Sequence, residues 1–160
     1  MVITLKTLKA YRLELDSNQY PLLVQEQEII SYNLLINAQE AVNLCNSTYH
    51  IEHAAEEFVI MIAVNSIHKP IALFEISHGS VNQSICNTRE VFIRALAVGA
   101  SAFFVLHNHP SGNPSPSDSD LRCALRLKKA GELLGIRLHD FIIIGSNTYF
   151  SLKEQQIANE

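Results

Sequence analysis

"SAFFVLHNHPSGNPSPSDSDLRCALRLKKAGELLGIRLHDFIIIG", residues 101–145, reads as a strand, a loop, a helix and a strand in succession. The opening run "SAFFVLHNH" is apolar and ends at Pro110, which has no amide hydrogen to continue a ladder. Ser117 opens an amphipathic helix over 117–135, with Gly135 as its C-terminal signal. "IRLHDFIIIG" and then "TYFSL" read as two closing strands around an "SN" turn.

Upstream, "TREVFIRALAVGA" (88–100) has Thr88 at the N-cap and apolar residues at 91, 92, 95 and 96, predicting a helix that ends near Gly99. "EEFVIMIAVN" (56–65) is a continuous, β-branched apolar run, as expected of a strand buried on both faces. After the turn "SIHKP", "IALFEIS" (71–77) is the returning strand. "NAQEAVNLCNS" (37–47) spaces Ala41, Leu44 and Cys45 at helical intervals behind Asn37, its expected N-cap. "KAYRLELD" (9–16) alternates at period two, and "LLVQEQEII" beyond "SNQYP" extends it or pairs with it. Strands mixed with three helices, without strict βαβ alternation, indicate an α/β fold of the α+β sandwich kind.

A chain of 160 residues, 48% hydrophobic and 18% charged, suits one globular domain. Twelve Lys+Arg against sixteen Asp+Glu give a net charge of −4, which disfavours direct nucleic-acid binding. The basic cluster "LRCALRLKK" reads as the solvated side of a helix. Cys45, Cys86 and Cys123 are odd in number and widely spaced, arguing against a disulfide framework and for the cytoplasm. No apolar stretch approaches the roughly 20 residues that cross a bilayer. The start, "MVITLKTLKAYRLELD", lacks the apolar core of a secretion signal.

On a strand, His107 and His109 share a face while Asn108 looks the other way. Two neutral imidazoles on one face can ligate a single divalent ion. Pro110, Pro114 and Pro116 stiffen the loop, and the cap at Ser117 puts Asp120 in the first helical turn, where it can supply a third ligand. Two histidines and a carboxylate leave a fourth tetrahedral position for water, the arrangement of catalytic zinc, which brings that water's pKa to about 7. The plainer alternative makes each histidine a hydrogen-bonded strand end and Ser117 only a cap.

The spacing His107-x-His109-x7-Ser117-x2-Asp120 resembles the JAMM (MPN-plus) metalloprotease motif, and "HNHPSGNPSPSDSD" resembles its RadC-family version. "TREVFIRALAVGASAFFVLHNHPSG" and "LGIRLHDFIIIG" extend the resemblance over residues 33 to 152. It implies a mixed β-sheet flanked by helices, JAB1/MPN-like, with cytidine-deaminase-like layering. Residues 1–32 are then an N-terminal extension packed on the domain, and 153–160 a C-terminal tail.

The resemblance also implies zinc (Zn2+) held by His107, His109 and Asp120, and a glutamate two residues ahead of a phenylalanine as general base. In "AEEFVIMIAV" the matching position is Glu56, with Glu57 expected to point to the other side of the strand. Glu75 is the main rival, and Glu90 is expected on a helix face. Ser117 carries over as the oxyanion stabiliser as well as the cap. His139 and Asp140 are expected to be structural.

The reaction implied is hydrolysis of a peptide or isopeptide bond in a peptide or protein substrate; specificity is expected from loops, with residues 77–87 the candidate. Two other functions stay open: a DNA-repair-associated accessory protein, and a non-catalytic metal-binding or scaffold MPN domain. The resemblance implies an amino-terminal helix-hairpin-helix module in full-length relatives, and these 160 residues are expected to be too few to hold one beside the domain. Its oligomeric state is not legible in the sequence. The letters "HNH" are not the dispersed HNH nuclease motif, and the H-x-E and P-C-x-x-C signature of zinc deaminases is missing.

Overall fold

A computed structural model describes residues 7–30, 34–79 and 86–158. The elements, in chain order, are β1 (Thr7–Leu15), β2 (Pro21–Ile30), α1 (Ala38–Tyr49), β3 (Glu57–Val64), β4 (Pro70–Gly79) and α2 (Thr88–Ala97). They continue with β5 (Ala102–Asn108), α3 (Asp118–Leu134), β6 (Arg137–Gly145), β7 (Thr148–Ser151) and α4 (Leu152–Ala158). Residues 80–85 of the expected specificity loop lie outside the described residues.

Among the described residues seven strands join one mixed sheet in the order β2-β1-β4-β3-β5-β6-β7. The β1/β4 and β5/β6 pairs are parallel and the rest antiparallel. The N-terminal residues do pair as a hairpin, β1 with β2, and this hairpin continues the sheet beyond β4.

The apolar runs explain the layering. Even positions of β3 and β5 (Ile60, Ile62, Phe104, Leu106) meet Ala41, Leu44 and Cys45 of α1 on one face. Odd positions (Val59, Met61, Phe103, Val105) meet Val91 and Phe92 of α2 and Cys123, Ala124 and Leu127 of α3 on the other. Both faces of the central strands are covered, which is why β3 and β5 show no polar alternation. The result is a sheet flanked by helices, as the strand and helix pattern predicts.

Helix ends follow cap chemistry. Asn37 Oδ1 accepts from the Glu40 amide. The α2 cap is Asn87 rather than Thr88, because Asn87 Oδ1 accepts from the Arg89 amide and leaves Thr88 as the first helical residue. α3 ends on Gly135 at φ 72°, the left-handed conformation glycine adopts without strain. The tail forms α4, held at its start by Asp140, whose Oδ1 accepts from the Lys153 amide, and by Ser151, whose Oγ accepts from the Glu154 amide. Among the described residues no helix is long and apolar enough to cross a membrane.

Candidate metal centre

β5 alternation carries the site. His107 continues the odd-numbered face of Phe103 and Val105, so its ring enters the layer occupied by α3. Asp120 stands in the first turn of that helix, completely buried. His107 Nε2 lies 3.7 Å from Asp120 Oδ1, and His109 Nε2 lies 3.4 Å from Asp120 Oδ2. The two imidazoles stand nearly edge to face, 4.8 Å between ring centres and 82° between planes. One ligand atom from each of the three residues fits within a 4.8 Å span.

The hydrogen bonds fix which atoms are free. His107 Nδ1 is 3.1 Å from the Phe58 carbonyl, and His109 Nδ1 is 2.9 Å from the Asn113 carbonyl. A carbonyl only accepts, so each Nδ1 carries a proton, and in the neutral ring Nε2 keeps its lone pair. Asp120 Oδ2 accepts from both the amide and the hydroxyl of Ser117, each at 2.7 Å, while Ser117 Oγ accepts from the Asp120 amide at 3.2 Å. Asp120 Oδ1 and His107 Nε2 are buried without any hydrogen-bond partner. Unpaired buried polar atoms are costly, so two of them facing each other call for a shared partner.

The spacing fits a cation. Donors about 2.0–2.2 Å from a tetrahedral zinc sit roughly 3.4 Å apart; His107 Nε2 meets Asp120 Oδ1 at 3.7 Å and His109 Nε2 meets the other oxygen, Oδ2, at 3.4 Å, with one donor per residue inside a 4.8 Å span. Burial lowers the His107 pKa, favouring the neutral form that ligates a metal. Burial alone would raise Asp120, but hydrogen bonds from His109 and from the side chain and backbone of Ser117 outweigh it and bring the carboxyl down to about 2. The contact with Asp120 raises His109, so without an ion its Nε2 favours a proton shared with the carboxylate, and a bound cation would take that proton's place. The residues present therefore fit a divalent cation held by two imidazoles and one carboxylate oxygen.

The acidic candidates separate by face. Glu57 is two residues before Val59, which pairs with His107, so Glu57 shares the histidine face. Its carboxyl is raised by burial and is close enough to feel the charges of His109 and Asp120. That corrects the expectation that Glu57 turns away.

Glu56 precedes β3, and its charge acts on His78, whose ring stacks on Phe58 of the opposite face. Glu75 pairs across the sheet with Ile60, also of that opposite face, and is bound to His78. Glu90 is held by Arg94 and Arg89 on α2, as its helix position suggested. His139 and Asp140 serve structure: Asp140 accepts from the Ser151 hydroxyl at 2.6 Å, and His139 packs 4.7 Å from the Phe104 ring.

A family model described as RadC-like JAB domain matches residues 35–157. A UPF0758 protein of Alkaliphilus metalliredigens is 47% identical over 107 residues, 67% of this chain and 46% of its own length. One from Pelobacter propionicus is 39% identical over 109 residues, 68% of this chain and 48% of its own. One from Clostridium perfringens is 41% identical over 102 residues, 64% of this chain and 45% of its own. The chain thus spans about half the length of these relatives.

Proposed function

The chain belongs to the RadC-like JAB domain family, and from that membership and the three-ligand cluster we propose a zinc-dependent hydrolase of peptide or isopeptide bonds. The observation that carries this reading is the buried, unpartnered pair His107 Nε2 and Asp120 Oδ1. A bound zinc ion would supply Lewis acidity to a carbonyl oxygen and to a water.

The side chains divide the remaining work. His107 and His109 offer Nε2 because backbone carbonyls hold their Nδ1 protons. Asp120 offers Oδ1 because Ser117 occupies Oδ2. Glu57 takes the proton of the attacking water and returns it to the leaving amine, a task that suits a carboxyl raised by burial. Ser117 is the proposed oxyanion donor. Its single hydroxyl proton points at Asp120, so that role requires the hydroxyl to rotate.

The test is zinc stoichiometry on the purified protein followed by hydrolysis of peptide and isopeptide libraries. One zinc per chain with turnover that Asp120→Ala abolishes supports the reading. Zinc bound at one equivalent with no amide substrate turned over would leave a metal-binding module without this chemistry.

A further inference from the structure

We infer that Asn108, between the two ligand histidines, is a positioning residue that sets the backbone at the entry of β3 and so aims Glu57 at the cluster. The inference rests on the hydrolase reading above and adds to it the device that sorts two adjacent acids, Glu56 and Glu57, onto opposite sides.

The last backbone pair between β3 and β5 at this end is Val59 with His107. One residue further, a side chain replaces the ladder. Asn108 Oδ1 accepts from the Phe58 amide at 2.6 Å, and Asn108 Nδ2 donates to the Glu56 carbonyl at 3.0 Å.

These two groups belong to the two peptide planes on either side of the Glu57 α-carbon. Holding both planes fixes both backbone torsions of Glu57, the soft degrees of freedom that decide where its side chain points. The Phe58 carbonyl is in turn held by His107 Nδ1. One end of β3 is therefore tied to a ligand histidine and to the residue beside it.

The chemistry selects asparagine. Only a carboxamide presents an acceptor and a donor side by side; aspartate lacks the donor for the Glu56 carbonyl, and alanine lacks both. Asn108 is 2% exposed, so water does not replace these bonds cheaply. Alternation turns it away from the histidine face, leaving that face to the ion. Asn108 touches no ligand atom of the cluster, and its effect on chemistry passes through Glu57.

The experiment compares zinc-loaded wild type with Asn108→Ala and with the near-isosteric Asn108→Asp, which keeps the Phe58 bond and loses the one to the Glu56 carbonyl, and thermal melting of both variants separates a folding defect from a loss of aim. Backbone hydrogen exchange at the Phe58 amide should accelerate about tenfold or more in Asn108→Ala. Zinc stoichiometry should stay at one per chain in both variants.

With an amide substrate from the library assay, kcat should fall roughly tenfold to a hundredfold in Asn108→Ala with KM little changed. Asn108→Asp should recover part of the loss. A fall confined to KM, or a loss of zinc in step with thermal stability, overturns the inference. If wild type turns over no amide substrate, the hydrolase reading fails by itself. Phe58 exchange then judges the clamp alone, and an unchanged rate in Asn108→Ala refutes it.

Discussion

His107 Nε2 and Asp120 Oδ1 face each other across 3.7 Å, both buried and neither hydrogen-bonded. A cation binding there stabilises the fold by mass action. At one hundred times the Kd the gain is about 2.7 kcal/mol, or roughly 5–10 °C in Tm for a chain of this size. Melting with added zinc and after chelation measures it. A Tm indifferent to zinc in wild type, or a zinc response kept by Asp120→Ala, contradicts the metal assignment.

Ser117 and Asp120 form a reciprocal cap at the start of α3. Removing the hydroxyl in Ser117→Ala should cost about 1 kcal/mol in urea unfolding. If capping is its only role, zinc-dependent turnover normalised to folded protein stays unchanged. A further loss of kcat of tenfold or more identifies the hydroxyl as an oxyanion donor.

Two neighbouring acids give a direct comparison. Glu57→Gln should lower kcat about 10²- to 10⁴-fold with zinc retained, and Glu56→Gln should change it little. The reverse ranking would return the general base to the position that the resemblance selects.

His139 gives an acid-dependent stability. Burial, then the charges of Lys153, His68 and Arg137, lowers its pKa to about 4. Lys153 Nζ lies 2.9 Å from its Nε2, a donor position that only a neutral ring can use as acceptor. From an unfolded value near 6.5 down to about 4, the unfolded chain binds the extra proton, so stability falls as pH falls through that window. Allowing for partial exposure, the loss is about 1–2 kcal/mol. His139→Gln should lose packing on Phe104 at every pH yet show a flatter pH dependence in urea titrations between pH 4.5 and 7. An unaltered slope would assign the acid sensitivity elsewhere.

Gly145 holds the proline-rich loop close. A Cβ there would collide with the Gly112 carbonyl and crowd Pro114. The Ser146 amide donates to that same carbonyl at 2.9 Å, and Asn113 next to it fixes the His109 ring. Gly145→Ala should therefore destabilise by about 1–3 kcal/mol and weaken zinc binding, read by melting and equilibrium dialysis. Unchanged zinc affinity would mean the loop can shift without moving His109.

Strand alternation and a helix start sufficed to place His107, His109 and Asp120 together, because all three lie on one strand–loop–helix unit and the periods of two and 3.6 are local. Glu57 was not legible in that way. Its orientation depends on where β3 starts and on the register between Val59 and His107, a pairing across 48 positions that no local period encodes. α4 was missed because its start is capped by Asp140, more than ten residues upstream, while the residues just before it read as a strand. For Asn108 the sequence predicts only that it faces away from the two histidines, because its partners again come from β3.

The three donors lie within residues 107 to 120, yet the His107 ring is oriented by the Phe58 carbonyl of β3. Glu57 reaches them from that same strand, one residue before Phe58. One strand end therefore governs both the presentation of a donor atom and the placing of the nearby acid, so a disturbance there would be felt by both at once.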